Sequence, residues 1–121
     1  MTTQALLQQA KAACPQLAWL ESEEKNQAIY EMADAIIANT DAILAANAED
    51  LCAAQGVISS VMLDRLRLTK DRIAAMADGM RQVAKLPDPV GEILAEVRRP
   101  NGLVIRKTAV PMGVVAIIYE S

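Results

Sequence analysis

The amino-acid sequence predicts a chain in which α-helices come first, a β-hairpin follows and one buried β-strand comes last. Three observations predict this order. Apolar residues recur at helical spacing up to about residue 85, which is typical of amphipathic helices. Residues 92–110 alternate roughly between apolar and polar around a turn signal, and residues 114–118 are a run of five apolar residues, four of them β-branched. Such a run fits a strand that is buried on both faces, as in a parallel sheet covered by helices.

The first two predicted helices are separated by a short hydrophobic link. The first covers residues 3–13, and Pro15 is expected to prevent its continuation. The second covers residues 23–38, with Ser22 as its N-cap and two glutamates at the positive end of the helix dipole. Its apolar face is formed by Ile29, Met32, Ala33, Ile36 and Ile37.

Capping residues mark the next two helices. Thr40 is predicted to cap the third helix, which Gly56 ends. The fourth is short and runs from a cap at Ser59 or Ser60 to Leu66.

Thr69 is predicted to cap the fifth helix, which runs to about Lys85. Gly79 lies beside its apolar stripe and indicates close packing there, since glycine costs about 1 kcal/mol against alanine in a helix. The predicted buried stripe consists of Ile73, Met76, Ala77, Met80 and Val83.

A linker over residues 86–91 leads to the hairpin. Residues 92–99 and 103–110 form its two strands, and Pro100-Asn101-Gly102 lies between them. Proline suits the first central position of a type I turn, and glycine can take the left-handed position of the bulge that follows.

The last strand is expected over residues 111–121, after the Pro111-Met112-Gly113 turn signal. A strand buried on both faces needs a neighbour at each edge and helices above and below it. The sequence reaches Ser121 where a loop after this strand should begin. We therefore expect the chain to be an N-terminal piece of something larger.

Composition excludes several classes of function. The net charge of -3 and the three aromatic residues argue against nucleic-acid binding, which relies on basic patches and stacking. The chain has no histidine, and Cys14 and Cys52 have no metal-type spacing, so no metal site is predicted. The sequence starts without a signal-peptide pattern and holds no run long enough to span a bilayer. We expect a cytoplasmic chain without membrane or nucleic-acid partners.

Few residues are candidates for chemistry. A thiolate nucleophile needs a cation, a helix N-terminus or a base beside it, and neither Cys14 nor Cys52 has one nearby in sequence. Both read more simply as small buried apolar residues. The glutamates and aspartates lie at helix starts or on polar faces, and no glycine-rich phosphate loop is present. The remaining candidate is the carboxyl end of the last strand, where open α/β sheets bind ligands. From the residues alone, an ordinary strand end explains this region equally well.

Several segments in order resemble gamma-glutamyl phosphate reductases, also called glutamate-5-semialdehyde dehydrogenases, of the aldehyde dehydrogenase superfamily. The resemblance extends over essentially the whole chain, which matches the amino-terminal part of such enzymes. The segments are Ile43 to Leu51, Leu63 to Leu66, Leu86 to Gly91, Arg99 to Leu103 and Val110 to Ser121.

This resemblance implies an α/β, aldehyde dehydrogenase-like fold and a cytoplasmic enzyme of L-proline biosynthesis. The implied reaction is the NADPH-dependent reduction of L-glutamyl 5-phosphate to L-glutamate 5-semialdehyde and phosphate. The superfamily uses a cysteine thiolate that forms a thioacyl enzyme before hydride transfer. The family's cysteine lies beyond Ser121, so no catalytic residue is predicted in this sequence, and the segment alone is expected to be inactive.

The resemblance also implies a role for each part of the chain. Residues 1–91 match the helical part of the nucleotide-binding domain, residues 92–110 a hairpin used in homo-oligomerisation, and residues 111–121 the first strand of the dinucleotide-binding sheet. Ile118, Tyr119 and Glu120 are predicted to bind the cofactor NADP, largely through their backbone. The alternative, from a different class, is a stand-alone helical interaction module that pairs with a partner through its hairpin or its last strand.

Overall fold

The computed structural model describes residues 2–118, and these residues combine α-helices with a two-stranded antiparallel sheet, so the predicted α/β class is confirmed. The chain divides into two compact units. We call Glu23–Leu86 the helical unit, and the two segments before and after it, up to Ser22 and from Pro87 onward, the composite unit. Among residues 2–118, no helix is long and apolar enough to cross a membrane.

The elements follow the predicted order of helices and then a hairpin. They are α1 (Thr3–Leu17), α2 (Ser22–Ala38), α3 (Thr40–Ala54), α4 (Ser60–Leu66), α5 (Lys70–Val83), β1 (Ile93–Arg98) and β2 (Val104–Thr108).

Of the four predicted helix caps, two are confirmed and two are wrong. Ser22 is the first residue of α2 rather than its N-cap, and its hydroxyl donates to the Asp88 carboxylate at 2.8 Å. The side-chain oxygens of Ser59 and Thr69 accept hydrogen bonds from the third backbone N–H group after them, at 3.3 and 3.1 Å. Thr40, however, is already the first residue of α3, and its hydroxyl donates to the carbonyl of Ile37 at 2.7 Å. Only Asn39 separates α2 from α3, so the Thr40 side chain lies against the last turn of α2.

Pro15 does not stop the first helix, because α1 continues to Leu17. The Ala18 N–H group donates to the Cys14 carbonyl at 3.0 Å, so helical bonding resumes directly after the proline. Proline has a φ that suits a helix, and its missing N–H removes one bond, to the carbonyl of Lys11. Within the last turn of the helix this loss does not end the helix at the proline.

The helical unit contains all the buried residues of the described chain. Ile73 and Ala77 of α5 and Ala33 of α2 are fully buried, as their positions on the predicted apolar faces require. Met76 and Val83 were predicted in the same stripe but are exposed. The predicted apolar face of α5 is therefore wider than the part of the helix that other residues bury.

Gly79 is not a close-packing position, contrary to the sequence prediction. A Cβ atom built on Gly79 would meet no atom of the described chain within 4 Å, apart from its own helix and chain neighbours. The apolar face of α5 makes its close contacts at Ile73 and Ala77, on the turns before this glycine.

The hairpin is antiparallel and ends in the predicted turn. Gly102 donates to the Arg99 carbonyl at 3.0 Å and has a φ of +83°, which is the left-handed bulge position expected for a glycine. Glu96 lies opposite Arg106, and Val97 lies opposite Ile105. The register shifts between Ile93 and Ala95. Every residue of both strands is exposed.

The strand predicted after the hairpin is not formed in the described part of the chain. Residues 109–118 have no regular secondary structure, and the apolar run is exposed, with Ile117 at 78% and Ile118 at 97%. A strand exists through hydrogen bonds to a neighbouring strand, and no strand of the described chain pairs with residues 110–118. The last three predicted strand residues, 119–121, lie outside the described residues.

Candidate cofactor-proximal segment

The candidate site begins where the hairpin ends. After β2 the chain passes Pro111 and reaches Gly113. Its φ of +86° is readily adopted by glycine but is strained for residues with a Cβ atom. The residues that follow, 114–118, carry no charged or hydrogen-bonding side chain. Any polar contact that residues 114–118 make with a ligand must therefore come from the backbone N–H and C=O groups.

A cleft of about 440 Å³ lies between α1 and this segment, within the composite unit. Leu7, Lys11 and Cys14 line it from α1 at a spacing of four and three residues, which places them on one face of the helix. Gly113 and Val114 line it from the segment. The surface of the cleft is almost entirely apolar, and no carboxylate or imidazole that could act as a base is among its described lining residues.

The structure places the predicted cofactor-binding residues only in part. Ile118 is almost fully exposed at the end of the described segment. Tyr119 and Glu120 lie outside the described residues. The assignment of these three residues to the cofactor stays a prediction.

The two cysteines lie in different units, and no carboxylate or imidazole is among the described residues that line the depressions around them. Cys14 is half-buried in the cleft of α1, and Cys52 is exposed on α3. Arg67 lines the same shallow depression as Cys52, but no carboxylate or second thiol lines it. Among residues 2–118 no group of three His, Cys, Asp or Glu residues is placed to hold a metal ion.

A buried asparagine, which the apolar pattern of α3 did not predict, organises the link between α4 and α5. Asn47 of α3 is 7% exposed; its side-chain amide donates to the Leu66 carbonyl at 2.9 Å and accepts from the Leu68 N–H group at 2.8 Å. The Asn47 side chain thus provides hydrogen-bond partners for two backbone groups in and beside the link between α4 and α5, where no helix supplies them. An asparagine in the middle of an otherwise apolar helix face is the signal that could have revealed it.

An ion pair connects α2 with α5 in the helical unit. The Arg81 guanidinium lies 2.7 Å from the Asp34 carboxylate and 3.1 Å from that of Asp78. The hydrogen bond that Arg81 donates to Asp34, and the weaker one that it donates to Asp78, raise the pKa of Arg81. Because arginine is charged at neutral pH in any case, this pair is a structural contact rather than an acid–base site.

Comparison with known proteins gives a consistent result in sequence and in structure. No protein-family model matches the chain. The chain is 52% identical over all 121 residues to gamma-glutamyl phosphate reductases of Streptococcus pneumoniae strains Hungary19A-6 and R6, and it spans 29% of the length of these curated relatives.

Two solved structures resemble the fold. One is the gamma-glutamyl phosphate reductase of Thermotoga maritima, with a TM-score of 0.83 and 32% identity over 86% of this chain and 25% of that chain. The other is the gamma-glutamyl phosphate reductase of Saccharomyces cerevisiae, with a TM-score of 0.80 and 32% identity over 92% of this chain and 29% of that chain.

These matches confirm the prediction in two steps. The α/β architecture resembles part of two proteins that are named reductases. The particular resemblance, to gamma-glutamyl phosphate reductase, is confirmed by the identity along the whole chain, and the coverage fits a segment of such a protein.

Proposed function

We propose that this chain is an N-terminal segment of an NADPH-dependent reductase of the aldehyde dehydrogenase superfamily. The complete enzyme would act in the cytoplasm and convert L-glutamyl 5-phosphate to L-glutamate 5-semialdehyde and phosphate in L-proline biosynthesis. The observation that carries the proposal is the 52% identity over all 121 residues to proteins named gamma-glutamyl phosphate reductase. The likeness to two solved structures of that name supports it independently.

In this proposal residues 111–121 contribute to the cofactor site and supply no reacting group. NADPH, when bound, supplies the hydride. The residues present fit the edge of such a site, because 114–118 are uncharged and Ile118 is exposed at its end. Ile118, Tyr119 and Glu120 would contact the dinucleotide through their backbone groups. Residues 1–91 would support this strand as part of the nucleotide-binding domain.

We predict that the 121-residue chain alone does not turn over substrate. Cys14 is half-buried on α1 and Cys52 is exposed on α3, and neither has a base within its cleft. The nucleophilic cysteine of the complete enzyme would lie beyond Ser121. Covalent catalysis needs a nucleophile and an activating group together. The residues that line the depressions around Cys14 and Cys52 include Lys11 and Arg67, respectively, but no carboxylate or imidazole base.

A chimera tests both parts of the proposal. This chain replaces the matching 29% of the S. pneumoniae reductase, and NADPH formation is followed with L-glutamate 5-semialdehyde, phosphate and NADP⁺ in the reverse direction. We expect activity within about tenfold of the parent enzyme from the chimera, equivalent to about 1.4 kcal/mol of barrier, and none from the isolated chain.

The controls separate a failed fold from a failed function. The S. pneumoniae enzyme lacking the matching part should be inactive, and circular dichroism reports whether the chimera is folded. A folded chimera without activity would overturn the proposal, as would turnover by the isolated chain.

The alternative function is an interaction module, and the exposed hairpin favours it. Val97 and Ile105 are paired across the strands yet remain 49% and 45% exposed. The same surface would serve homo-oligomerisation in the enzyme proposal, in which the hairpin contacts a second copy. Light scattering of the isolated chain discriminates further: self-association is expected for a segment with exposed apolar strands, whereas a stable monomer counts against the segment proposal.

A further inference from the structure

The hairpin is fastened differently at its two ends. At the turn end, Gly102 donates to the Arg99 carbonyl, and the Asn101 side chain accepts the Leu103 N–H group at 3.1 Å. At the open end no turn joins the strands. There Gly91 donates to the Ala109 carbonyl at 3.0 Å, and Ala109 donates to the Glu92 carbonyl at 2.9 Å, beyond the bounds of β1 and β2.

These last bonds need an explanation, because an isolated two-stranded hairpin is marginally stable in water. No residue of β1 or β2 is buried, so side-chain packing contributes little within the described chain. The open end of such a hairpin is expected to fray first.

Asp88 lies immediately before this open end and has two hydrogen-bonded oxygens. Its Oδ1 accepts the Val90 N–H group at 3.0 Å, which closes a tight turn over Asp88 to Val90. Its Oδ2 accepts the hydroxyl of Ser22 at 2.8 Å, although 66 positions separate the two residues in sequence. Both bonds are made by a carboxylate, and bonds of this kind are stronger than those between neutral groups.

The flanking residues restrict Asp88 before these bonds form. Pro87 and Pro89 stand on either side of it, and a residue before proline is confined to extended conformations. Pro89 has a fixed φ, and its carbonyl accepts the Glu92 N–H group at 3.3 Å. Little conformational entropy is lost when the carboxylate engages its two partners.

We propose that Asp88 is a clasp that fastens the open end of the hairpin to Ser22, at the end of the N-terminal segment of the composite unit. One oxygen organises the turn that delivers Gly91 to Ala109. The other holds that turn against Ser22, so that the two chain segments of the composite unit are joined by a polar bond. The clasp fixes which residues of the hairpin are paired before any partner meets its exposed edges.

Amide hydrogen exchange of the isolated chain tests the clasp residue by residue. Asp88→Ala should raise the exchange rates of Gly91 and Ala109 about 2- to 10-fold, the range that a single hydrogen bond gives. Arg99 and Gly102, at the turn end, should change less than about twofold, since their bonds do not depend on Asp88. Asn101→Ala is the control at the turn end: it removes a side-chain oxygen that accepts a backbone N–H group two residues later, as Asp88 does, and should give the reverse pattern.

Two further variants separate the clasp from a general loss of structure. Asp88→Asn keeps an acceptor for Val90 and gains an amide that can donate to Ser22, so exchange rates should return close to those of the parent chain. Ser22→Ala removes only the long-range bond and should raise the rates of Gly91 and Ala109 by part of the Asp88→Ala effect.

The proposal would be overturned by either of two results. The first is an Asp88→Ala variant in which Gly91 and Ala109 exchange as in the parent chain, or in which both hairpin ends change alike. The second is a Ser22→Ala variant with unchanged rates, which would show that the N-terminal segment takes no part in fastening the hairpin.

Discussion

The helical unit and the composite unit are built from similar amounts of apolar sequence but use it differently. In the helical unit Ala33, Ile73, Ala77 and Ala84 are buried. In the composite unit no described residue is buried, and most apolar side chains of α1 and all of those in β1, β2 and residues 110–118 are exposed. The difference shows that apolar content alone does not make a core; the apolar faces must also meet.

Connectivity explains this difference. Helices α2 to α5 follow one another through links of few residues, so their apolar faces can pack through contacts that are near in sequence. The composite unit joins two segments that are separated by the whole helical unit. Its secondary structure forms through local backbone hydrogen bonds in helices and turns, whereas its apolar faces are not buried by other residues of the described chain.

The largest predicted effect concerns Ile73, the largest fully buried side chain in the described structure. Ile73→Ala should lower the free energy of unfolding by about 2–5 kcal/mol, because it removes buried surface and leaves a cavity in the helical unit. Urea unfolding followed by circular dichroism measures the loss.

The matched control for this substitution lies in the composite unit. Ile117→Ala removes the same atoms from a side chain that is 78% exposed, and it should change the free energy of unfolding by no more than about 0.5 kcal/mol. Equal losses from the two variants would show that residues 110–118 are packed in solution, and the contrast between the units would fail.

Two helix caps and the hairpin turn could be predicted from the sequence because each depends on three or four neighbouring residues, whereas the caps expected at Ser22 and Thr40 are not formed. Ser59, Thr69 and the Pro100-Asn101-Gly102 turn are as expected. The strand predicted over residues 114–118 is a different case, since a strand needs a partner whose position no local pattern encodes. Pro15 shows that a local signal can also mislead. The proline was expected to end α1, but the helix continues for two more residues, to Leu17.

The candidate site was predictable only through resemblance. Nothing in the residues 114–118 themselves distinguishes a cofactor-proximal strand from an ordinary one, because neither requires charged side chains. The polar positions that organise the structure, Asn47 and Asp88, were not identified as such. Each acts on a partner about 20 or 66 positions away, and composition and periodicity do not show such pairings.

The second predicted effect compares a buried with an exposed asparagine. Asn47→Ala should lower the free energy of unfolding by about 1–3 kcal/mol, since the Leu66 carbonyl and the Leu68 N–H group would be left without partners at a part-buried site. Asn101→Ala in the composite unit removes one exposed bond that water can replace, and its cost should stay below about 1 kcal/mol. Urea unfolding of both variants measures the two values, and a larger loss for Asn101 would contradict the assignment of the buried polar bond to the helical unit.

The smallest predicted effects differ in sign between the two units and concern two glycines. Gly79 lies in the middle of α5 with open space around its missing side chain, so Gly79→Ala should stabilise the chain by about 0.5–1 kcal/mol. Gly102 has a φ of +83°, which is costly for any residue with a Cβ atom, so Gly102→Ala should destabilise it by about 1 kcal/mol. Thermal unfolding of the two variants should therefore shift in opposite directions. A destabilising Gly79→Ala would mean that α5 is closely packed at that point after all, which would restore the original interpretation of this glycine and place another surface against the helical unit.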